Sequence, residues 1–257
     1  MSDRDKYTKL NRISIPASIL LALIIWQGII KTSNFPAFIL PSPALVAERF
    51  VRALSDGSLL RNSLITLEEV LLGLIAGSVL ATLLGYLLAK IRLLERLLSP
   101  YLVASQAIPT VAIAPLLVIW FGPGLLSKIL ICGLIVFFPV LVNTIVGLRA
   151  VPENLRDLMR SMDATQLQTL KHLEIPAALP VFLGGLRIGA TLSVIGAVVG
   201  EFVGSDRGLG FLINVGRGQY DTALVFVAVF TLIFMALTLY GLIVLAEKRI
   251  LAWREDT

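Results

Sequence analysis

Charge is what this 257-residue sequence has least of: Asp, Glu, Lys and Arg make up 15% of it, against 57% hydrophobic residues and a mean hydropathy of +0.89. Too little charge is present to clothe a water-exposed surface of this length, which excludes the soluble classes. The alternation of apolar and polar residues that barrel strands need is also missing, so the long apolar runs cross lipid as helices. A lone cysteine, Cys132, excludes an intrachain disulfide, and its place in an apolar run points to packing rather than redox or metal chemistry. There is one histidine, His172, and no Gly-rich loop ending in Gly-Lys-Ser/Thr, so nothing here cradles nucleotide phosphates. No small-residue cleavage site follows the first apolar run, only Lys31-Thr32-Ser33-Asn34-Phe35-Pro36, and the first helix is expected to be retained.

What is present predicts an all-α membrane protein with about six transmembrane helices, over 13–30, 64–89, 100–121, 129–148, 181–203 and 223–246. The basic residues gather at the ends of these runs, so the net charge of +5 marks orientation and not nucleic acid. With the N-terminus inside, Arg4, Lys6, Lys9, Arg12, Lys90, Arg92, Arg96, Arg149, Arg156, Arg160, Lys171, Lys248, Arg249 and Arg254 are cytoplasmic. Those fourteen face seven outside, namely Lys31, Arg49, Arg52, Arg61, Lys128, Arg207 and Arg217, a bias that places both termini in the cytoplasm. The expected organisation is a cytoplasmic tail over 1–12, a first span over 13–30, an extracytoplasmic segment over 31–62, a core over 63–246 containing an inside loop at 150–176, and a second tail over 247–257. In the outer segment, Ser42 and Pro43 suit the start of a short interfacial helix with Leu45, Val46, Phe50 and Leu54 on one face.

The inside loop is the most informative segment. Leu155, Leu158, Met159 and Met162 recur at helical spacing after Pro152, while Arg156, Asp157 and Arg160 point elsewhere; this helix ends near Asp163. Thr165 caps a second short helix bearing Leu167, Leu170 and Leu173, which Ile175-Pro176 is expected to break. Two short helices with apolar positions among polar ones make an elbow, suited to docking in a groove of another protein or to folding back on its own bundle.

The run from Asp157-Leu158-Met159 through Asp163-Ala164 to Ile175-Pro176-Ala177-Ala178-Leu179-Pro180 resembles the coupling loop of binding-protein-dependent ABC importer permeases of type I fold. The family pattern is Glu-Ala-Ala, three residues, Gly, about nine residues, then an apolar residue and Pro-Ala-Ala-x-Pro. Here Asp157-Leu158-Met159 keeps only the acid, and Asp163 replaces the glycine that ends the first helix. Asp tolerates the left-handed region better than most residues, at a cost of roughly 1 kcal/mol relative to Gly. The chain is also similar to the nitrate, sulfonate and taurine branch in Leu40-Pro41-Ser42-Pro43, Ala107-Ile108-Pro109, Ala114-Pro115-Leu116, Trp120-Phe121-Gly122, Phe138-Pro139, Gly200-Glu201 and Gly208-Leu209-Gly210.

The resemblance implies half of a translocation pore in the bacterial inner membrane. Its partners would be a second permease, commonly an identical copy, two ATP-binding cassette subunits, an extracytoplasmic substrate-binding protein and the lipid bilayer. No cofactor is expected on this chain, since ATP and Mg belong to the partner, and no enzyme activity is expected of it. The residues implied to couple it to the ATPase are Asp157, Leu158, Met159, Asp163, Ala164, Thr165, Leu167, Leu170 and Pro176. The solute implied is a taurine-, alkanesulfonate- or nitrate-like anion, with a thiamine pyrimidine or riboflavin as the alternative. An ion-coupled secondary transporter would need several intramembrane acids.

Within the expected spans, Arg187 either faces the path or snorkels to the interface. Glu201 either lines an outer gate or pairs with Arg207 or Arg217; Gly196 and Gly200 beside it permit close helix approach. Glu68 and Glu69 are read as favouring a helix start, without a transport role. Pro109 and Pro115 are expected to bend the third span, which suits a gate.

Overall fold

The computed structural model describes residues 3–33 and 35–252, with side chains described from residue 17 onward except residue 19. The expected basic side chains at Arg4, Lys6, Lys9, Arg12 and Arg254 lie outside that set, as do the ends of both expected tails. Eleven helices and no strand occur among the described residues. They are α1 (Asp3–Ser33), α2 (Pro43–Ser55), α3 (Ser58–Lys90), α4 (Arg92–Gln106), α5 (Thr110–Phe121), α6 (Leu125–Arg149), α7 (Glu153–Ser161), α8 (Gln166–Thr169), α9 (Ile175–Gly204), α10 (Leu209–Gly218) and α11 (Thr222–Ile250), with a π-turn at Leu170–Glu174.

Four continuous runs are long and apolar enough to cross a membrane: α3, α6, α8 through α9 (Gln166–Gly204) and α11. The expected third span over 100–121 is instead broken. Helices α4 and α5 meet at 96° across Ala107, Ile108 and Pro109. Pro109 lacks an N–H and disfavours helical backbone at Ile108, so the helix stops there. Pro115 lies inside α5 without breaking it. The expected fifth span is longer than read, because Ile175-Pro176 does not end the elbow's second helix. The π-turn shifts the hydrogen-bond pattern by one residue, Pro176 falls in the first turn of α9 where its missing N–H costs little, and the helix runs on to Gly204. The expected first span lies in α1, whose described apolar stretch is Leu20–Ser33.

The chain divides into two units. In the smaller, residues 1–60 and 212–230, Ser42 accepts from the Leu45 N–H at 3.2 Å and Pro43 opens α2, as expected. The buried positions of α2 are Val46 and Ala53, while Phe50 and Leu54 are exposed. Trp26 stacks on Phe226 with ring centroids 5.2 Å apart, and Arg49 binds Asp221 at 2.7 Å.

In the larger unit, residues 61–211 and 231–257, α6 packs between α3 and α9 with small residues at the contacts. A Cβ on Gly77 of α3 would lie 2.6 Å from the Gly133 carbonyl oxygen of α6, and one on Gly196 of α9 would lie 2.8 Å from the Cys132 Cα. Gly73 faces Cys132 from the α3 side, so Cys132 is fully buried between two glycines and serves packing. Lipid offers no hydrophobic drive to associate, and close backbone approach through small residues supplies dispersion contacts instead. Gly200 sits one turn beyond Gly196, over Lys128, which confirms the close approach read from that pair.

Candidate functional site

Two places bring the sequence-predicted residues together. The first is the elbow. Helix α7 leaves Leu155 and Leu158 exposed, Met159 between them is half-buried, and Met162 just after the helix is 69% exposed. Asp157 pairs at the surface with Arg160. Asp163 has φ 51°, the left-handed conformation expected of the residue replacing the family glycine. The Asp163 N–H donates to the Arg160 carbonyl at 3.0 Å and the Ala164 N–H to the Met159 carbonyl at 3.0 Å, the paired bonds of a Schellman stop. Thr165 then caps α8: its hydroxyl accepts from the Gln168 N–H at 3.3 Å while the Gln168 side chain accepts from the Thr165 N–H at 2.7 Å. Leu167 is 72% exposed. Leu170 is half-buried at the start of the π-turn, so it belongs partly to the bundle.

Two polar ties hold this elbow to the helices behind it. Arg156 donates to the Leu148 carbonyl at the end of α6 at 2.7 Å, and Lys90 at the end of α3 binds the buried Glu174 at 2.5 Å. Neither tie was read from the sequence. Each joins residues whose partner is a backbone group or lies far away in the chain.

The second place is the opposite end of the same three helices. Glu201 is fully buried and accepts from the Thr66 hydroxyl at 2.6 Å and from the Gly210 N–H. The Thr66 oxygen accepts from the Leu209 N–H at 2.8 Å, and Asn62 accepts from the Gly208 N–H at 2.7 Å. Residues from α3 and α9 therefore satisfy the N–H groups that open α10, which that helix cannot satisfy itself. Gly208 has φ 103°, and a Cβ there would overlap the Glu201 carboxylate. Beside this cap, Lys128 of α6 donates to Glu69 of α3 at 2.7 Å and to Ser205 at 2.7 Å, with both charged side chains buried.

This geometry corrects three readings. Glu201 pairs with neither Arg207 nor Arg217; Arg207 lies against Asp206 at 3.3 Å. Glu69 is not a carboxylate at a helix start, since α3 begins at Ser58, and Lys128 is not an exposed orientation signal but its buried counter-ion. Arg187, partly exposed, pairs with Glu247 at 3.2 Å, three residues before the end of α11. The Glu69–Lys128 pair did have a signal. Glu69, Gly73 and Gly77 share a four-residue spacing, as do Lys128 and Cys132, and an ionisable group in register with a small-residue stripe lies at a helix contact. Pro109, the third candidate for the path, sits at the 96° break.

Residues 72–252 match the family described as "Binding-protein-dependent transport system inner membrane component". The chain is 49% identical over 241 residues to the riboflavin transport system permease protein RibX of Chloroflexus aurantiacus, covering 94% of this chain and 90% of that protein. It is 36% identical to the formylaminopyrimidine transport permease protein ThiX of Halalkalibacterium halodurans, over 92% of this chain and 94% of the relative. To the putative aliphatic sulfonates transport permease protein SsuC of Bacillus subtilis it is 31% identical, over 98% and 91% of the two chains. An all-helical bundle of apolar spans and a match across most of the length agree: this chain is a multi-pass inner-membrane permease of the binding-protein-dependent ABC transporter family.

Proposed function

We propose that the chain forms half of the translocation path of an ATP-driven importer, with the elbow docking on an ATP-hydrolysing subunit in the cytoplasm. The observation that carries this reading is the exposed apolar edge Leu155, Leu158, Met162 and Leu167, presented on a segment that Arg156, Lys90 and Glu174 tie to the bundle. An apolar edge held away from the lipid-crossing helices gains by being covered, and a tied edge transmits a push where a floppy one absorbs it. A second copy of the chain completes the path, two ATPase subunits drive it with ATP and Mg, and an extracytoplasmic binding protein delivers the solute. Both termini are cytoplasmic in this reading. Pro109, Arg187 and Glu201 act in this reading by setting the shape of the bundle.

For the solute, the branch motifs favour a taurine-, alkanesulfonate- or nitrate-like anion. Identity of 49% to a riboflavin permease against 31% to a sulfonate permease supports a second reading, a vitamin or vitamin precursor. ATPase stimulation by the cognate binding protein loaded with either class separates the two.

The docking test is co-purification of the ATPase subunit with the wild-type chain and with Leu158→Asp plus Leu167→Asp. Both side chains are exposed, so the double change leaves the bundle folded. Retention with wild type and loss with the variant is the expected result. Equal retention would place the docking contact away from this edge, and solute transport by the chain with no ATPase bound would return the secondary-carrier reading.

A further inference from the structure

Between the elbow and the ends of α3 and α6 lies a cavity of about 1100 Å³. Its walls carry Lys90, Arg92, Arg96, Arg149, Arg156 and Arg160. Glu95, Glu153 and Glu174 line it as well, and Asp157, outside the wall, pairs with Arg160, so six cations against four acids leave a surplus of two positive charges. Arg149 holds Glu95 at 2.5 Å and Lys90 holds Glu174 at 2.5 Å. Arg92 and Arg96 make no ion pair among the described residues, and the Arg156 Nε is buried there without a hydrogen-bond partner. Orientation by positive charge needs only exposed Lys and Arg at span ends. A convergent set around one cavity, one of its donors buried and unmet, calls for an acceptor.

The depth of the cavity identifies the acceptor. Lys90 and Arg149 are the last residues of two spans, α3 and α6, and so mark where hydrocarbon gives way to headgroups. Helix α4, which starts at Arg92 on the rim, buries none of its residues and exposes Leu93, Leu97 and Tyr101. A basic start with an uncovered apolar face is the pattern of a helix lying in the interface. The exposed apolar edge of the elbow, Leu158, Met162 and Leu167, takes no part in the cavity wall, so the docking edge and the cationic wall are separate faces. We propose that this cavity binds the phosphate headgroup of an anionic phospholipid, whose acyl chains meet the apolar flank of α4. Basic pockets at the cytoplasmic ends of spans recognise such headgroups through charge-assisted hydrogen bonds.

The experiment is native mass spectrometry of the purified chain, delipidated and titrated with phosphatidylglycerol in phosphatidylcholine micelles. Arg92→Gln plus Arg96→Gln should weaken phosphatidylglycerol binding about thirty-fold, from roughly 1 kcal/mol for each basic group at about 1.4 kcal/mol per tenfold. Arg61→Gln plus Arg207→Gln, at the opposite end of the unit, should leave it unchanged. Arg92→Lys plus Arg96→Lys keeps the charge and should keep most of the binding; its equal loss would make the effect structural and overturn the proposal. Wild-type binding equal to that of the double glutamine variant would overturn it as well. Displacement of the lipid by millimolar inorganic phosphate would replace it with a small-anion site. Loss of bound lipid on adding the ATPase subunit would assign the cavity to that partner's acidic surface.

Discussion

Replacing Lys128 with methionine removes the one ammonium group in the polar cluster at the far end of α3, α6 and α9. In the wild-type chain its Nζ lies 2.7 Å from a Glu69 oxygen and 2.7 Å from the Ser205 hydroxyl, with Lys128 6% and Glu69 1% exposed. The lysine is the cationic partner of that buried carboxylate, and the Glu201 carboxylate lies beside the pair. Breaking a buried pair from one side leaves an unpaired charge and costs about 3–5 kcal/mol, whereas replacing both partners by apolar groups of similar size is close to neutral. Lys128→Met alone should therefore lower the unfolding midpoint in detergent by roughly 10 °C, taking about 2–4 °C per kcal/mol for a chain of this size. Lys128→Met plus Glu69→Met should recover most of that loss. Thermal unfolding followed by size-exclusion chromatography of the four chains closes the cycle. A single variant as stable as wild type, or a double variant as unstable as the single, would refute the pairing.

Two further outcomes follow from local geometry. Asp163→Gly removes a side chain from a residue at φ 51°, so it should firm the elbow by roughly 1 kcal/mol, seen as slower proteolysis and slower amide exchange around 163–165; faster exchange would contradict the left-handed stop. Gly77→Val places a Cβ 2.6 Å from the Gly133 carbonyl oxygen, where backbone must move, and should cost at least about 1–3 kcal/mol in a thermal melt; an unchanged midpoint would mean α3 and α6 do not approach through these glycines.

Much of this arrangement is legible in the residues because it is local. Ser42 and Thr165 cap helices through bonds three residues away, and Asp163 stops α7 through bonds closed within five residues. Gly196 and Gly200 declare a close contact by their own spacing. What the sequence hides is nonlocal or depends on balance. Lys128 and Glu69 are 59 positions apart, and Lys90 and Glu174 are 84 apart; the small-residue spacing beside Glu69 and Lys128 marks a helix contact without naming the partner. The 96° break at Pro109 and the continuity at Pro176 show one residue type giving opposite results. At Pro109 the chain leaves helical geometry, while at Pro176 a π-turn absorbs the missing donor, and the choice depends on what packs around each. Arg187 looks like an intramembrane charge in search of a role until Glu247, 60 positions on, is seen beside it.

The most direct test of the central claim, that the elbow carries the motion of an ATPase into this bundle, is ATP-driven solute uptake into proteoliposomes holding the complete transporter. Wild type is compared with the Leu158→Asp plus Leu167→Asp chain in the same assembly. The account predicts that uptake is lost in the variant while the bundle keeps its unfolding midpoint. Uptake at the wild-type rate with both leucines replaced would contradict it.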